Sequence, residues 1–189
     1  GLTPASCREL VARGHSVSVE HSAGLGIGFS DQDYRDAGAS IAHEAAEIFA
    51  EAELLVKVKE PQPHECKLLG AGQLLFTYLH LAPDPEQAKG LLASGAAAIA
   101  YETITDDHGN LPCLAPMSEV AGRLAPQAGA HHLEKAAGGR GVLLGGVPGV
   151  SPAEVCVLGG GIVGYNAARI AAGMGASVTV YDRSPARLR

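Results

Sequence analysis

The residues best equipped for chemistry fall into two groups. The first is Gly159-Gly160-Gly161-Ile162-Val163-Gly164, a GxGxxG string that follows the strand-like run 154–158 and opens a helical pattern reaching about residue 174. Each glycine of the motif has its own task. Gly159 permits a tight turn, Gly161 lets a pyrophosphate approach the backbone, and Gly164 allows the helix to pack closely on the strand. The amides of Ile162 and Val163 then lie at a helix N-terminus, where unpaired N–H groups and the helix dipole favour an anion. A second strand-like run, 177–181, leads into Asp182, roughly 20 residues past the motif and placed to accept from a ribose 2′-hydroxyl. The pattern predicts dinucleotide binding. It favours NAD over NADP, because a carboxylate repels a 2′-phosphate, although Arg183 beside it softens that preference. A glycine-rich turn with no ligand is the competing reading, and the strand, helix and acid around it weigh against that.

The second group is Lys59 and His80. Lys59 closes Leu54-Leu55-Val56-Lys57-Val58 just before Glu60-Pro61, and His80 closes Leu74-Leu75-Phe76-Thr77-Tyr78-Leu79. Both therefore stand at the carboxyl ends of predicted buried strands, where ligands bind in open α/β sheets. An ammonium can hold a carboxylate or polarise a carbonyl, and an imidazole can move a proton near neutrality. The pair suits oxidation of an amine to a carbonyl. A snorkelling or hydrogen-bonded structural role fits either residue equally well on the sequence alone. Lys57 is expected to be exposed, and the remaining histidines, including His131 and His132, show no metal-ligand spacing.

The elements that must position these groups alternate helix and strand, as in βαβ units with a parallel sheet. A helix over 4–13 precedes a strand over 16–20, and short helices follow over 31–37 and 43–50. Strands over 54–59, 74–79 and 97–101 come next, the last two separated by a helix over 84–94. Consecutive apolar residues in these runs suit strands covered on both faces. Ser118 is expected to cap a long helix over 118–137 that can bridge two domains, with the boundary near Pro112. The predicted fold class is α/β, a parallel-sheet domain over 1–112 followed, over 113–189, by the bridging helix and the first βαβ unit of a Rossmann domain.

The chain has 189 residues, 47% hydrophobic and 18% charged, which is enough apolar material for a packed core. Its net charge of −6 contains no long run of one sign, so neither a phosphate backbone nor an anionic membrane is implied as partner. The four widely spaced cysteines contain no CxxC pair and suggest a reducing cytoplasm. No apolar run reaches membrane-spanning length, and no signal-like segment opens the chain. Both ends read as cut. Gly1 stands in place of Met, Thr3-Pro4 starts a helix with no strand before it, and Ser184-Pro185 starts another helix within a turn of the last residue.

Four strings resemble the alanine dehydrogenase family: Lys57-Val58-Lys59-Glu60-Pro61, Phe76-Thr77-Tyr78-Leu79-His80-Leu81-Ala82, Ala115-Pro116-Met117-Ser118-Glu119-Val120-Ala121-Gly122-Arg123, and the glycine motif. The likeness spans essentially the whole chain. It implies reversible, NAD-dependent oxidative deamination of L-alanine to pyruvate and ammonia, by a homo-oligomer, usually a hexamer. It also implies site roles. Lys59 contacts the substrate and His80 acts as general acid and base; Ser118, Ile162, Val163 and Asp182 contact NAD, and Arg187 lies near the adenosine. The nicotinamide is expected toward a cleft beside Lys59 and His80. The family's substrate-carboxylate arginine would precede Gly1 and its catalytic aspartate would follow Arg189, so the chain alone is expected to lack turnover. It is also expected to bind NAD feebly or not at all, because two parallel strands cannot cover both faces of their sheet and the adenine pocket is incomplete. The related readings are the NAD-binding part of a nicotinamide nucleotide transhydrogenase alpha subunit, disfavoured by His80 and Pro116-Met117-Ser118-Glu119, and a non-catalytic NAD-responsive module.

Overall fold

In the computed structural model, which describes residues 1–189, Thr3 opens the first helix, its hydroxyl accepting the Ser6 amide at 3.3 Å. Pro4 then takes the first helical position, where its missing N–H would have had no intrahelical partner. Two compact units follow, Gly1–Ile104 and Thr105–Arg189.

The first unit runs α1 (Pro4–Ala12), β1 (Ser18–Glu20), α2 (Asp31–Asp36), β2 (Ser40–Ala42), α3 (Ala45–Glu51), β3 (Leu54–Val56), α4 (Pro63–Cys66), β4 (Leu74–Thr77), α5 (Pro85–Ser94) and β5 (Ala97–Ala100). All its strand pairs are parallel. β1 pairs with β2, and β3, β4 and β5 form a separate sheet in that order. Central β4 carries the most deeply buried aliphatic side chain, Leu75, at 0% exposure. Around it gather Phe49, Leu55, Leu69, Leu79 and Leu91. A second cluster under β1 and β2 is built on Cys7, Tyr34, Ala37 and Ala39, and the Tyr34 hydroxyl donates to the Leu2 carbonyl at 2.9 Å.

Three expectations change here. β2 is an element the sequence does not announce, because Ser40-Ile41-Ala42 is too short to show a period. β3 and β4 stop at Val56 and Thr77, short of the expected 59 and 79, since the chain turns out of the ladder before Pro61 and at His80, whose φ is +48°. Lys57 is not simply exposed: its side chain is 25% accessible and its ammonium pairs with Glu65, a carboxylate that also accepts the Gln62 amide at 2.6 Å.

The second unit contains α6 (Ala115–Leu133), β6 (Glu154–Leu158), α7 (Ile162–Gly173) and β7 (Ser177–Tyr181). β6 and β7 pair in parallel along their full lengths, Glu154 opposite Ser177 and Leu158 opposite Tyr181. This is the βαβ unit expected around the glycine motif. Against α7 lies α6, and at their crossing a Cβ on Gly122 would stand 2.4 Å from the Val163 carbonyl oxygen, so only glycine admits this approach. Buried Asn166 fastens the crossing by accepting from Arg123 Nε at 3.2 Å and donating to the Ile162 carbonyl at 2.9 Å. No helix is long and apolar enough to cross a membrane.

Leu75→Ala is expected to destabilise the first unit by about 2–5 kcal/mol, whereas Leu92→Ala, at a side chain 83% exposed, should change stability by less than about 0.5 kcal/mol. Because the chain has five tyrosines and no tryptophan, urea unfolding followed by tyrosine fluorescence measures both.

Candidate functional site

The glycine motif forms a turn between β6 and α7 that the backbone alone almost completely determines. Gly159 has φ +103°, open to glycine and strained for any other residue. A Cβ on Gly164 would fall 1.7 Å from the Gly159 carbonyl oxygen, which is not possible, while a Cβ on Gly161 would meet nothing within 4 Å. Close helix–strand packing thus demands Gly164, and the free space over Gly161 is where a ligand can reach the main chain. The first α7 amide bonded to a carbonyl is that of Tyr165, on Gly161 at 2.8 Å, so the amides of Ile162 and Val163 precede the intrahelical ladder and face an incoming anion.

Asp182 follows β7, its side chain only 6% accessible. Its carboxylate accepts the Ser184 amide at 2.7 Å and the Gly160 amide at 2.6 Å, and these bonds, with Arg187 at 3.7 Å, hold it below the usual aspartate range. It remains an anion with lone pairs to spare for a hydroxyl donor. Gly159, Ile162, Val163, Gly164 and Arg187 line one open hollow together with Ser118, and Asp182 shares a second with Gly159 and Arg187. The residues present fit a dinucleotide: a backbone cradle with no side chain in the way, helix N-terminal amides for a diphosphate and a carboxylate at the end of the second strand. Ser118 does not cap its helix, contrary to expectation. α6 begins at Ala115 with Pro116 in its first turn, a position that proline suits, and the Ser118 amide already bonds to the Leu114 carbonyl at 3.1 Å.

In the first unit the segments carrying Lys59 and His80 leave adjacent parallel strands at the same end. The Thr77 hydroxyl, fully buried, donates to the Lys59 carbonyl at 2.8 Å and ties the two segments together. Lys59 itself is exposed. The His80 side chain, 47% accessible, sets Nδ1 3.4 Å from Glu60 Oε2, and its ring stacks on Tyr78 with centroids 5.9 Å apart and planes at 21°. The Glu60 carboxyl is held below its usual range by its own backbone amide first, then by His80 and Lys59. A carboxylate on Nδ1 favours the tautomer that keeps the proton there and leaves Nε2 as the acceptor nitrogen.

Comparison with known proteins completes the assignment. The alanine dehydrogenase/PNT N-terminal domain matches residues 1–121 and the corresponding C-terminal domain matches residues 125–189. The chain belongs to the alanine dehydrogenase/PNT family. It is 62% identical over 187 residues to the alanine dehydrogenase of Halomonas elongata, covering 99% of this chain and 50% of that protein. With the alanine dehydrogenase of Mycolicibacterium smegmatis it shares 57% over 188 residues, 100% of this chain and 51% of the relative. The chain therefore spans about half the length of these relatives. A solved L-alanine dehydrogenase superposes with a TM-score of 0.91 at 53% identity, over 100% of this chain and 52% of that one. A transhydrogenase from Sinorhizobium meliloti gives 0.80 at 26% identity, over 98% and 55%.

Three residues of this alanine dehydrogenase/PNT chain are not singled out by the sequence. Glu102, on the turn after β5, accepts the amides of Leu79 and His80. Applying the strand-end rule to β5 as well as to β3 and β4 would have found it. Thr77 and Glu60 stand within the strings already quoted, but their bonds join segments far apart in the chain and leave no local pattern.

Gly164→Ala should destabilise the second unit by an amount near the upper end of roughly 1–3 kcal/mol, while Gly161→Ala should leave stability within about 0.5 kcal/mol and weaken NAD binding at least about tenfold. Thermal unfolding and NAD titration of the intact protein separate the two effects. Because the folded Asp182 carboxyl titrates below the usual aspartate value, the bonds it makes are complete above about pH 4 and are lost as pH falls through that lower value. The expected outcome is a fall in the protection factors of the Gly160 and Ser184 amides on acidification, after the intrinsic pH dependence of amide exchange is divided out, and its absence in Asp182→Asn.

Proposed function

We propose that the protein carrying this chain catalyses NAD-dependent oxidative deamination of L-alanine to pyruvate and ammonia, together with the reverse amination. The observation that carries the reading is an imidazole with a carboxylate on its Nδ1, on a strand end tied through Thr77 to the segment bearing Lys59. Membership of the alanine dehydrogenase/PNT family supports the same conclusion.

In this reading Lys59 binds the substrate, its ammonium holding the carboxylate or the oxygen that becomes the pyruvate carbonyl. His80 takes a proton at Nε2 from the water that attacks the imine and returns it as ammonia leaves, with Glu60 steadying the imidazolium through Nδ1. NAD, when bound, supplies the acceptor for the hydride of the substrate Cα. The chain holds it through Gly159, Gly161, Ile162, Val163 and Gly164 at the diphosphate and through Asp182 at the ribose, with Ser118 and Arg187 on the same hollow. The anionic Asp182 favours NAD over NADP. Assembly as a homo-oligomer, a hexamer by family resemblance, and a cytoplasmic setting complete the proposal; four free cysteines suit a reducing compartment. We keep the domain roles as expected from the sequence, substrate chemistry over 1–112 and cofactor binding over 113–189.

His80→Ala in the intact enzyme should lower turnover of L-alanine by about 10²–10⁴-fold while NAD affinity stays within about threefold. Equal losses in both would overturn the role given to His80. Alanine-dependent NADH formation is the primary assay: a protein that instead only passes hydride to NADP on a partner, as a transhydrogenase module would, or that binds NAD without turnover, fails it.

A further inference from the structure

Glu102 occupies the turn Tyr101–Thr103 that follows β5, next to β4 in the sheet. Its carboxylate reaches across to the residues at which the β4 ladder has ended, accepting the Leu79 amide at 3.1 and 3.3 Å and the His80 amide at 2.8 Å. The neighbouring Tyr101 ring stands edge-on to Phe76 at 4.2 Å and to Tyr78 at 4.8 Å, which fixes the turn from which Glu102 projects. Burial alone would raise its pKa. The amides of His80, Glu102 itself and Leu79 outweigh that and lower it, so the group is an anion at neutral pH.

What this anion holds is unusual. His80 is one of only two non-glycine residues with positive φ in the chain, a conformation that is uncommon for any residue with a side chain and that its surroundings help to hold. That backbone conformation sets the direction of Cβ, and with it the stacking on Tyr78 and the approach of Nδ1 to Glu60. If the two amides lost their acceptor, His80 would be free to return to negative φ, and the ring would swing off both contacts.

We propose that Glu102 is a positioning residue for the reaction, its carboxylate locking the His80 backbone so that the imidazole meets Glu60 through Nδ1 and leaves Nε2 for proton transfer. The inference rests on the function proposed above. It assigns Glu102 no contact with substrate or cofactor.

The test compares Glu102→Ala and Glu102→Gln with the unmodified intact enzyme in kcat, KM for L-alanine and for NAD, melting temperature, and hydrogen exchange of the peptide containing Leu79 and His80. A misaimed proton-transfer group predicts that Glu102→Ala lowers kcat about 10²-fold with KM for NAD within about twofold and faster exchange at Leu79 and His80. Glu102→Gln, which keeps one acceptor oxygen, should recover to within about tenfold of the unmodified kcat. If Glu102→Ala does not accumulate as folded protein, Glu102→Met, which keeps the bulk but offers no acceptor oxygen, decides by the same measures. A folded Glu102→Ala or Glu102→Met with unchanged kcat overturns the proposal, as does a lowered melting temperature with no loss of kcat per folded molecule. Absence of alanine-dependent NADH formation in the unmodified enzyme sinks the functional reading, and this proposal with it.

Discussion

Parallel strands leave a sheet at the same end, and the backbone groups that the ladder no longer serves must then find other partners. This constraint shapes the first unit. Where β3 gives way to Lys57-Val58-Lys59, the Lys57 amide still reaches the Phe76 carbonyl at 3.0 Å, and the Lys59 carbonyl is met by the Thr77 hydroxyl. Where β4 ends, Glu102 takes the amides of Leu79 and His80. The groups that satisfy the sheet's open end are therefore the same ones that fix where Lys59 and His80 stand, so structural and chemical demands cannot be separated at this edge.

The second unit solves a different problem by removing side chains. Gly164 lets α7 press against β6, Gly122 lets α6 press against α7, and Gly159 turns the chain between strand and helix. Tight packing around α7 leaves its N-terminal amides in one orientation. An anion meeting them finds little to reorganise, which is the condition under which a weak dipole interaction becomes a specific binding contribution. Asp182 adds to this order from the neighbouring strand by bonding to Gly160, so the ribose-binding candidate and the phosphate turn are held as one piece.

How much of this was legible follows from how local each signal is. The unit from Glu154 to Tyr181 could be read nearly residue by residue, because strand period, glycine spacing and the terminal acid all lie within one short stretch. Lys57 misled because its partner, Glu65, belongs to a four-residue helix that no periodicity announces, and a lysine in a strand-like run otherwise reads as solvated. Ser118 misled for the opposite reason. It is a good capping residue in a good position, but Pro116 can begin a helix as well, and Leu114 caps without any side-chain bond. Glu102, Thr77 and Glu60 act across strands, and side chains that meet only after the sheet has formed leave no trace in spacing.

The strain at His80 shows why such non-local groups matter. A left-handed conformation costs a side-chain-bearing residue roughly 1–2 kcal/mol, and glycine would occupy the position at little cost. Glycine, however, carries no imidazole. Two hydrogen bonds to a charged acceptor contribute about 1.5–3 kcal/mol each before allowance for the partly exposed turn, enough to offset the conformational cost. An imidazole-bearing residue thus holds a positive φ just past the end of β4 because the turn after β5 supplies an anion in Glu102. Removing that carboxylate would leave the fold two responses, to relax His80 or to weaken the edge, and the first is favoured because it restores an ordinary backbone while the core on Leu75 stays intact.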